Sequence, residues 1–195
     1  MRIVGGSLRG RRIETPDSCQ VRPTSDRVRE GLSSALQARN LIAGTHVLDL
    51  FAGTGAFSFE MLSRGASHAT LVDNDPRVIA SIHQNALLLG LSTRITTERY
   101  DLAESLTPLF KRNRWPSHGF DLAFLDPPYA KIGLVGPLLK ELLTHDCLST
   151  TATLVVEHAT PHPPNLPSSF TAVKTYHYGS TSVVIGTSAT TTHGI

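Results

Sequence analysis

The 195 residues suffice for one ordinary domain with a sizeable core, and 40% hydrophobic with 17% charged residues reads as a globular, soluble chain. Charges break every apolar run before it reaches membrane-span length, the N-terminus lacks the apolar stretch of a signal peptide, and two cysteines, Cys19 and Cys147, make neither a disulfide framework nor a metal spacing; a reducing, cytoplasmic setting is expected. The net charge of +2 excludes no partner, but residues 1–12 hold Arg2, Arg9, Arg11 and Arg12 without an acid, and arginine, which suits bidentate phosphate contacts and stacking on bases, outnumbers lysine 14 to 4.

Along the chain, Ile3-Val4, Gly5-Gly6-Ser7 and Arg11-Arg12-Ile13 give strand, turn and strand, so residues 1–20 read as a short β-hairpin or an irregular extension. Thr24 to Arg39 predicts a helix, with Pro23 before it, Thr24 or Ser25 as cap, and Val28, Leu32, Ala35 and Leu36 at helical spacing. After Gly44, strands predicted at 46–51, 69–73, 95–100, 122–125 and 153–157 alternate with helices at 56–63, 76–89, 103–110 and 133–144. Two last strands, 172–178 and 182–186, are separated only by a turn at Gly179-Ser180 and predict an antiparallel hairpin at one end of the sheet. The pattern predicts an α/β fold, a seven-stranded, mostly parallel sheet with helices on both faces. Residues 1–23 read as an extension, 24–187 as the main domain, and 188–195, small and polar, as a disordered tail.

The run Val47-Leu48-Asp49-Leu50-Phe51-Ala52-Gly53-Thr54-Gly55-Ala56 is a strand that ends in a glycine turn and leads into a helix. Glycine lets backbone approach a ligand closely, and the helix start offers N–H donors. Asp73 ends the next strand, twenty residues after Gly53, where an acid can grip a ribose diol. This spacing fits both a dinucleotide and S-adenosylmethionine. Two details favour the latter: Ser58 stands where a dinucleotide fingerprint has its third glycine, and Asp49 suits a sulfonium and an ammonium better than a pyrophosphate. A carboxylate that merely caps nearby N–H groups is the plainer alternative for Asp49. Asp101, after the third strand, is placed to reach an adenine amine.

Asp126-Pro127-Pro128-Tyr129 follows the buried strand that ends at Leu125. Pro127 lacks an N–H while its carbonyl and that of Asp126 stay able to accept, and Pro128 restricts Pro127 to an extended conformation. A carboxylate, a carbonyl and a flat ring on one stiff loop suit an exocyclic amine on a planar base. A second basic run, Lys111-Arg112-Asn113-Arg114-Trp115, reads as a solvated loop, and none of the nine histidines is spaced to bind a metal.

On these residues the chain resembles the class I S-adenosylmethionine-dependent methyltransferases, and more narrowly the bacterial RsmD family of 16S ribosomal RNA guanine-N2 methyltransferases. The resemblance runs from Met1 to about Gly186 through MRIVGGSLRGRRI, RPTSDRVREGL, VLDLFAGTGAFSFEMLSRGA, ATLVDND and DLAFLDPPY. It implies a Rossmann-like methyltransferase fold. It implies Asp49, Phe51, Gly53, Thr54, Gly55, Asp73 and Asp101 at the cofactor, and Asp126, Pro127 and Tyr129 at the target amine. Arg9, Arg11, Arg12, Arg22, Thr24, Arg27 and Arg29 are the candidate contacts to RNA. Arg27 or Arg29 could instead pair with Glu30 or Asp26. The chain departs from the family at Leu8, where tryptophan or lysine is common, at Leu32, near which the family often has phenylalanine, and in the proline-rich 161–167. The expected partner is 16S rRNA in an assembling or assembled small subunit, and the expected state a monomer. The competing readings are an amino-methyltransferase acting on DNA adenine or cytosine, a nicotinamide-dependent dehydrogenase, and a non-catalytic RNA-binding assembly factor.

Overall fold

The strands His46–Leu50 and His68–Asp73 are buried along most of their length on both faces, as parallel pairing requires. The computed structural model describes residues 1–15, 26–111 and 115–188, residue 188 by its backbone alone. Contacts divide the chain into two units, Met1–Leu102 and Ala103–Ile195.

In the first unit, α1 (Asp26–Ala38) precedes β1 (His46–Leu50), α2 (Ala56–Ser63), β2 (His68–Asp73), α3 (Pro76–Leu89) and β3 (Ile95–Arg99). The strands pair in parallel in the order β3-β2-β1, and Asp49 lies opposite Leu71 while Asp73 lies opposite Arg99. α1 buries Val28, Leu32 and Leu36, an i, i+4, i+8 stripe. α3 has every terminal signal in its sequence: Asp75 accepts the Arg77 N–H as N-cap, Pro76 opens the first turn, and Gly90 closes the helix with φ 72°. α2 is different, because all eight of its residues are buried, Glu60 included.

A strap of residues 1–14 covers α2. The expected hairpin reduces to one antiparallel bridge, Arg2 to Arg12, flanked by the bonds Ile3 N–H to Arg11 O and Ile13 N–H to Met1 O, both 3.0 Å. Between them the Gly10 N–H still donates to Ile3 O (2.8 Å), while residues 4–8 turn toward α2. The Val4 N–H donates to Glu60 Oε2 (2.8 Å), Ser7 N–H to Ser63 O (2.8 Å) and Leu8 N–H to Ser63 Oγ (2.9 Å), and Ser63 Oγ donates to Gly5 O (2.6 Å). Gly6 has φ 75°, and a Cβ there would lie 2.0 Å from Ser63 O, so only glycine fits. Beyond the bridge, Asn85 of α3 holds both polar groups of the Glu14 backbone, accepting from its N–H (2.8 Å) and donating to its carbonyl (2.9 Å).

The second unit contains α4 (Thr107–Phe110), β4 (Phe120–Leu125), α5 (Val135–Thr144), β5 (Leu148–Ala159), β6 (Phe170–Tyr178) and β7 (Thr181–Ser188). Its strand order is β4-β5-β7-β6, with β4 and β5 parallel and the C-terminal hairpin antiparallel as expected. The last strand, β7, lies inside and β6 has its far side unpaired by any described strand.

Two helices are shorter than their patterns suggest. The predicted helix 103–110 keeps only its last turn, because Glu141 of α5 takes the Leu106 N–H (2.7 Å) and the Ser105 hydroxyl (3.0 Å). These donors are satisfied outside a helix, and Pro108 then opens the turn. α5 starts at Val135 rather than 133 because Pro137 has no N–H and fits only a first turn; a 3-10 segment, Tyr129–Leu134, fills the gap. β5 is longer than expected because it is paired on both sides, by β4 and by β7.

Among the described residues no helix is long and apolar enough to cross a membrane, and no group of three or more His, Cys, Asp or Glu side chains is placed to hold a metal. Residues 189–195 of the expected tail lie outside the described residues, and Ser188 ends β7.

Candidate active site

Parallel strands end on the same side, so the loops after β1, β2 and β3 gather there. After β1 the chain bends sharply: Phe51 adopts φ 66°, Gly53 φ 52° and Gly55 φ 73°. A non-glycine residue in this region costs about 1 kcal/mol. Phe51 is held there by the bond from Ala52 N–H to Val72 O (3.0 Å) and the turn from Gly55 N–H to Ala52 O (2.8 Å). At Gly55 a Cβ would come within 3.0 Å of Phe59 and 3.1 Å of Leu71, so the loop lies tight against α2 and β2.

Asp73 ties this loop to the second strand. One carboxylate oxygen accepts the Gly53 N–H and the other the Asp75 N–H, each at 3.0 Å. A carboxylate has about four acceptor sites, so Asp73 can bind a diol while keeping both backbone bonds. The Tyr100 N–H donates to Asp73 O (3.0 Å), which sets the start of the Asp101 loop against the end of β2. Asp101 is exposed.

Asp49 is 1% exposed and accepts the Ser58 hydroxyl at 2.7 Å. The serine at the third-glycine position is therefore the partner of the strand acid, and the two residues that set this loop apart from a dinucleotide fingerprint act together. Their bond fixes the start of α2 on β1. Thr54, 5% exposed, donates its hydroxyl to Met1 Sδ (3.4 Å), so the strap reaches the glycine loop itself. The structure thus brings together Asp49, Phe51, Gly53, Thr54, Gly55 and Asp73, with Asp101 at the same strand ends.

In the second unit, the segment after β4 buries Pro127 and exposes Pro128 and Tyr129. Pro128 is extended, with φ −52° and ψ 144°, and its carbonyl accepts the Lys131 N–H at 2.7 Å, which starts the 3-10 segment. The Tyr129 residue is 48% exposed, unusual for a large ring on a strand-end loop. Asp126 is half-buried at the C-terminal end of β4.

The predicted arginines divide. Arg9, Arg12 and Arg27 are exposed. Arg11 is exposed too, but its Nη2 donates to Leu88 O at the end of α3 (2.6 Å). Arg22 and Thr24 lie outside the described residues. Arg29 is a correction: at 1% exposure it cannot meet a phosphate. Its Nη2 donates to Arg2 O (2.5 Å) and to Asp26 Oδ1 (2.8 Å), and its Nε lies 3.9 Å from Glu60 Oε2. The pairing with Asp26, weighed as an alternative in the sequence, holds. The reason is the strap: its Arg2 carbonyl accepts from the buried guanidinium, and Glu60, to which the strap is anchored, sets a negative charge 3.9 Å away. Trp115, of the second basic run, packs edge-on against Phe110 and Phe120 at 5.0 and 5.1 Å.

Sequence reasoning missed Glu60, Ser63 and Asn85. A signal existed for Glu60: an acid in the apolar helix AFSFEMLS implies a buried partner. Nothing local marks Ser63 or Asn85.

The profile of the family described as "Conserved hypothetical protein 95" matches residues 1–187. The ribosomal RNA small subunit methyltransferase D of Escherichia coli is 36% identical over 160 residues, covering 80% of this chain and 74% of that protein. The protein of the same name from Haemophilus influenzae is 32% identical over 174 residues, with 89% and 86% covered. Among solved structures, the Escherichia coli protein yhhF, described as a candidate methyltransferase, superposes with a TM-score of 0.79 at 27% identity and covers 96% of this chain and 97% of its own. An RNA methyltransferase from Salinibacter ruber, solved with S-adenosyl-L-homocysteine, shares the fold at a TM-score of 0.60 and 15% identity, covering 85% of this chain and 92% of its own. Near-complete coverage and identities above 30% agree with the strand order and the loops: the chain belongs to the RsmD family of class I S-adenosylmethionine-dependent methyltransferases.

Proposed function

We propose that this chain transfers a methyl group from S-adenosylmethionine to the exocyclic N2 amine of one guanine in 16S ribosomal RNA, acting as a cytoplasmic monomer on an assembling or assembled small subunit. Family and fold make it an S-adenosylmethionine-dependent rRNA methyltransferase. The base and its nitrogen are the finer part of the reading, and the Asp126-Pro127-Pro128-Tyr129 loop at the end of β4, with its buried proline and exposed ring, is the observation that carries it.

The residues of the first unit fit the cofactor. The glycine loop approaches without side chains, Asp73 keeps acceptor capacity for a ribose diol, Asp101 stands exposed for an adenine amine, and Asp49 supplies a negative charge beneath the loop. Bound there, S-adenosylmethionine supplies a methyl group already activated on a sulfonium, so alignment is the main task left to the protein. Asp126 and the Pro127 carbonyl accept the two N–H bonds of the guanine amine. The lone pair of that nitrogen is delocalised into the ring; two fixed acceptors favour a more tetrahedral nitrogen and aim its lone pair. Tyr129 stacks on the base and fixes its plane. The methylated nitrogen releases a proton readily, and Asp126 is the proposed acceptor. Positioning of this kind supplies on the order of 7–11 kcal/mol when the geometry is good. A base reaches such a loop only when splayed from its stack, which favours an unpaired nucleotide. Arg9, Arg12 and Arg27, with Arg11 where its bond to α3 allows, are the proposed phosphate contacts.

Mass mapping of modified nucleosides from cells with and without the gene tests the reading. One N2-methylguanine should vanish from 16S rRNA. Loss of a methylated adenine or cytosine from DNA, or no loss at all, overturns it.

A further inference from the structure

Arg29 occupies the centre of the first unit and contacts no proposed ligand. We propose that it is a positioning residue for the glycine loop and acts through the Met1 side chain on Thr54. The proposal rests on the reading that this loop holds S-adenosylmethionine.

The contacts form one continuous path. From α1, the Arg29 guanidinium holds Arg2 O (2.5 Å) and Asp26 (2.8 Å), and its Nη1 lies 3.8 Å from Met1 Sδ. The same sulfur accepts the Thr54 hydroxyl at 3.4 Å. Glu60, 3.9 Å from Arg29 Nε, holds the Val4 N–H with the same oxygen (2.8 Å) and Arg64 Nε with the other (2.7 Å). A guanidinium presents its donors in a rigid plane, and one buried this fully cannot lose its acceptors without a large desolvation cost. Arg29 therefore fixes the strap backbone at Arg2, and Met1 is pinned at its carbonyl by Ile13 N–H (3.0 Å) and at its sulfur by two donors.

Thr54 needs such a support. It lies between Gly53 and Gly55, both at positive φ, and glycine has little intrinsic preference for that conformation over its mirror region. A thioether is a weak acceptor, so the contact serves to fill and orient more than to bind. Without it, the loop spends less time in the form that accepts the cofactor, and apparent affinity falls by that fraction.

The chain has only two methionines, Met1 and Met61, and Met61 is fully buried in α2. Spectra of protein carrying 13C-methyl methionine therefore show one reporter and one internal reference. Saturating the wild type with S-adenosylhomocysteine should shift the Met1 methyl signal and leave Met61 nearly unchanged. Arg29→Met and Thr54→Val should each weaken S-adenosylhomocysteine binding about tenfold by calorimetry, and the double variant should be little worse than either alone, the signature of one path. Arg29→Lys retains the charge beside Glu60 but not the planar set of donors, so it should recover thermal stability and not affinity; it also serves if Arg29→Met does not fold. A Met1 signal unmoved by bound ligand, additive losses, or full recovery of affinity in Arg29→Lys overturns the proposal. If the wild type fails to bind S-adenosylhomocysteine at all, the cofactor reading falls first; binding with a silent Met1 overturns this inference alone.

Discussion

The glycine loop and the loop after β4 reach order by opposite means. The glycine loop is held by residues remote in sequence: Asp73 from twenty positions on, Met1 from fifty-three positions back, and α2 beneath it by a strap more than fifty residues away. Its backbone is intrinsically soft, with two glycines at positive φ. The second loop is stiff by itself. Two consecutive prolines and a 3-10 turn closed by Lys131 N–H to Pro128 O set its shape from within six residues, and it exposes its aromatic ring. Long-range bonding suits the role proposed for the first, wrapping a ligand with its backbone. Local stiffness suits the role proposed for the second, holding out a carboxylate, a carbonyl and a ring toward a base. The first is therefore vulnerable to distant substitutions, the second mainly to its own.

Substitutions can break or sharpen this contrast. The largest effect is expected at Asp126: Asp126→Ala should lower kcat by about 10²-fold or more, the loss typical of a single reaction-centre hydrogen bond, and leave S-adenosylmethionine affinity and melting temperature nearly unchanged. Methylation of 16S rRNA at the wild-type rate would remove Asp126 from the mechanism. Next is a distant change that should reach the soft loop. Gly6→Ala combines a positive φ with a 2.0 Å approach to Ser63 O and should cost roughly 2–4 kcal/mol in urea unfolding. Gly10→Ala, also at positive φ but with open space around it, should cost about 1 kcal/mol. Equal losses would mean that the strap is not anchored on α2 as described.

Tyr129→Ala should weaken RNA binding by about 1–3 kcal/mol, the value of one stacked base, while Tyr129→Phe keeps most of it; filter binding distinguishes the two. Arg9→Ala with Arg12→Ala should flatten the slope of log affinity against log salt by about 1.4, two single-stranded phosphate contacts, without touching cofactor binding.

The smallest effect concerns pH. His68, stacked on His46 across β1 and β2 at 6.0 Å, has its pKa pushed below the usual 6.5 by burial first, then by His46 and Arg94. The unfolded chain therefore binds this proton more readily than the folded one. His68 should cost no stability above about pH 6.5 and should destabilise progressively as the pH falls below it. His68→Gln should reduce that acid-side decline in urea titrations, and an unchanged profile would exclude this histidine as its source. Asp75 acts in the same sense lower down: hydrogen bonds from Arg77 hold its carboxyl at about 2, so the N-cap of α3 weakens as the pH falls from about 4 toward 2.

What the sequence determined alone was everything encoded by neighbours. α2 and α3 occur with the predicted limits, because glycine, proline and a capping acid mark their ends. The glycine loop and the Asp126-Pro127-Pro128-Tyr129 loop were legible for the same reason, their chemistry being written in consecutive residues, and Asp73 was legible from its fixed spacing at the end of the next strand. Helix 103–110 is cut to its last turn because Glu141, more than thirty positions away, takes the Leu106 N–H and the Ser105 hydroxyl and so holds that segment outside a helix. The N-terminal hairpin keeps only one bridge because the N–H groups of Val4, Ser7 and Leu8 find acceptors on Glu60 and Ser63 of α2. Arg29 read as a candidate RNA contact, with a surface pairing to Asp26 or Glu30 as the alternative. Only the tertiary structure could bury it, since burying a guanidinium depends on acceptors from Arg2 and Asp26 and on the Glu60 charge 3.9 Å away, and nothing in the residues around Arg29 announces that all three will meet there.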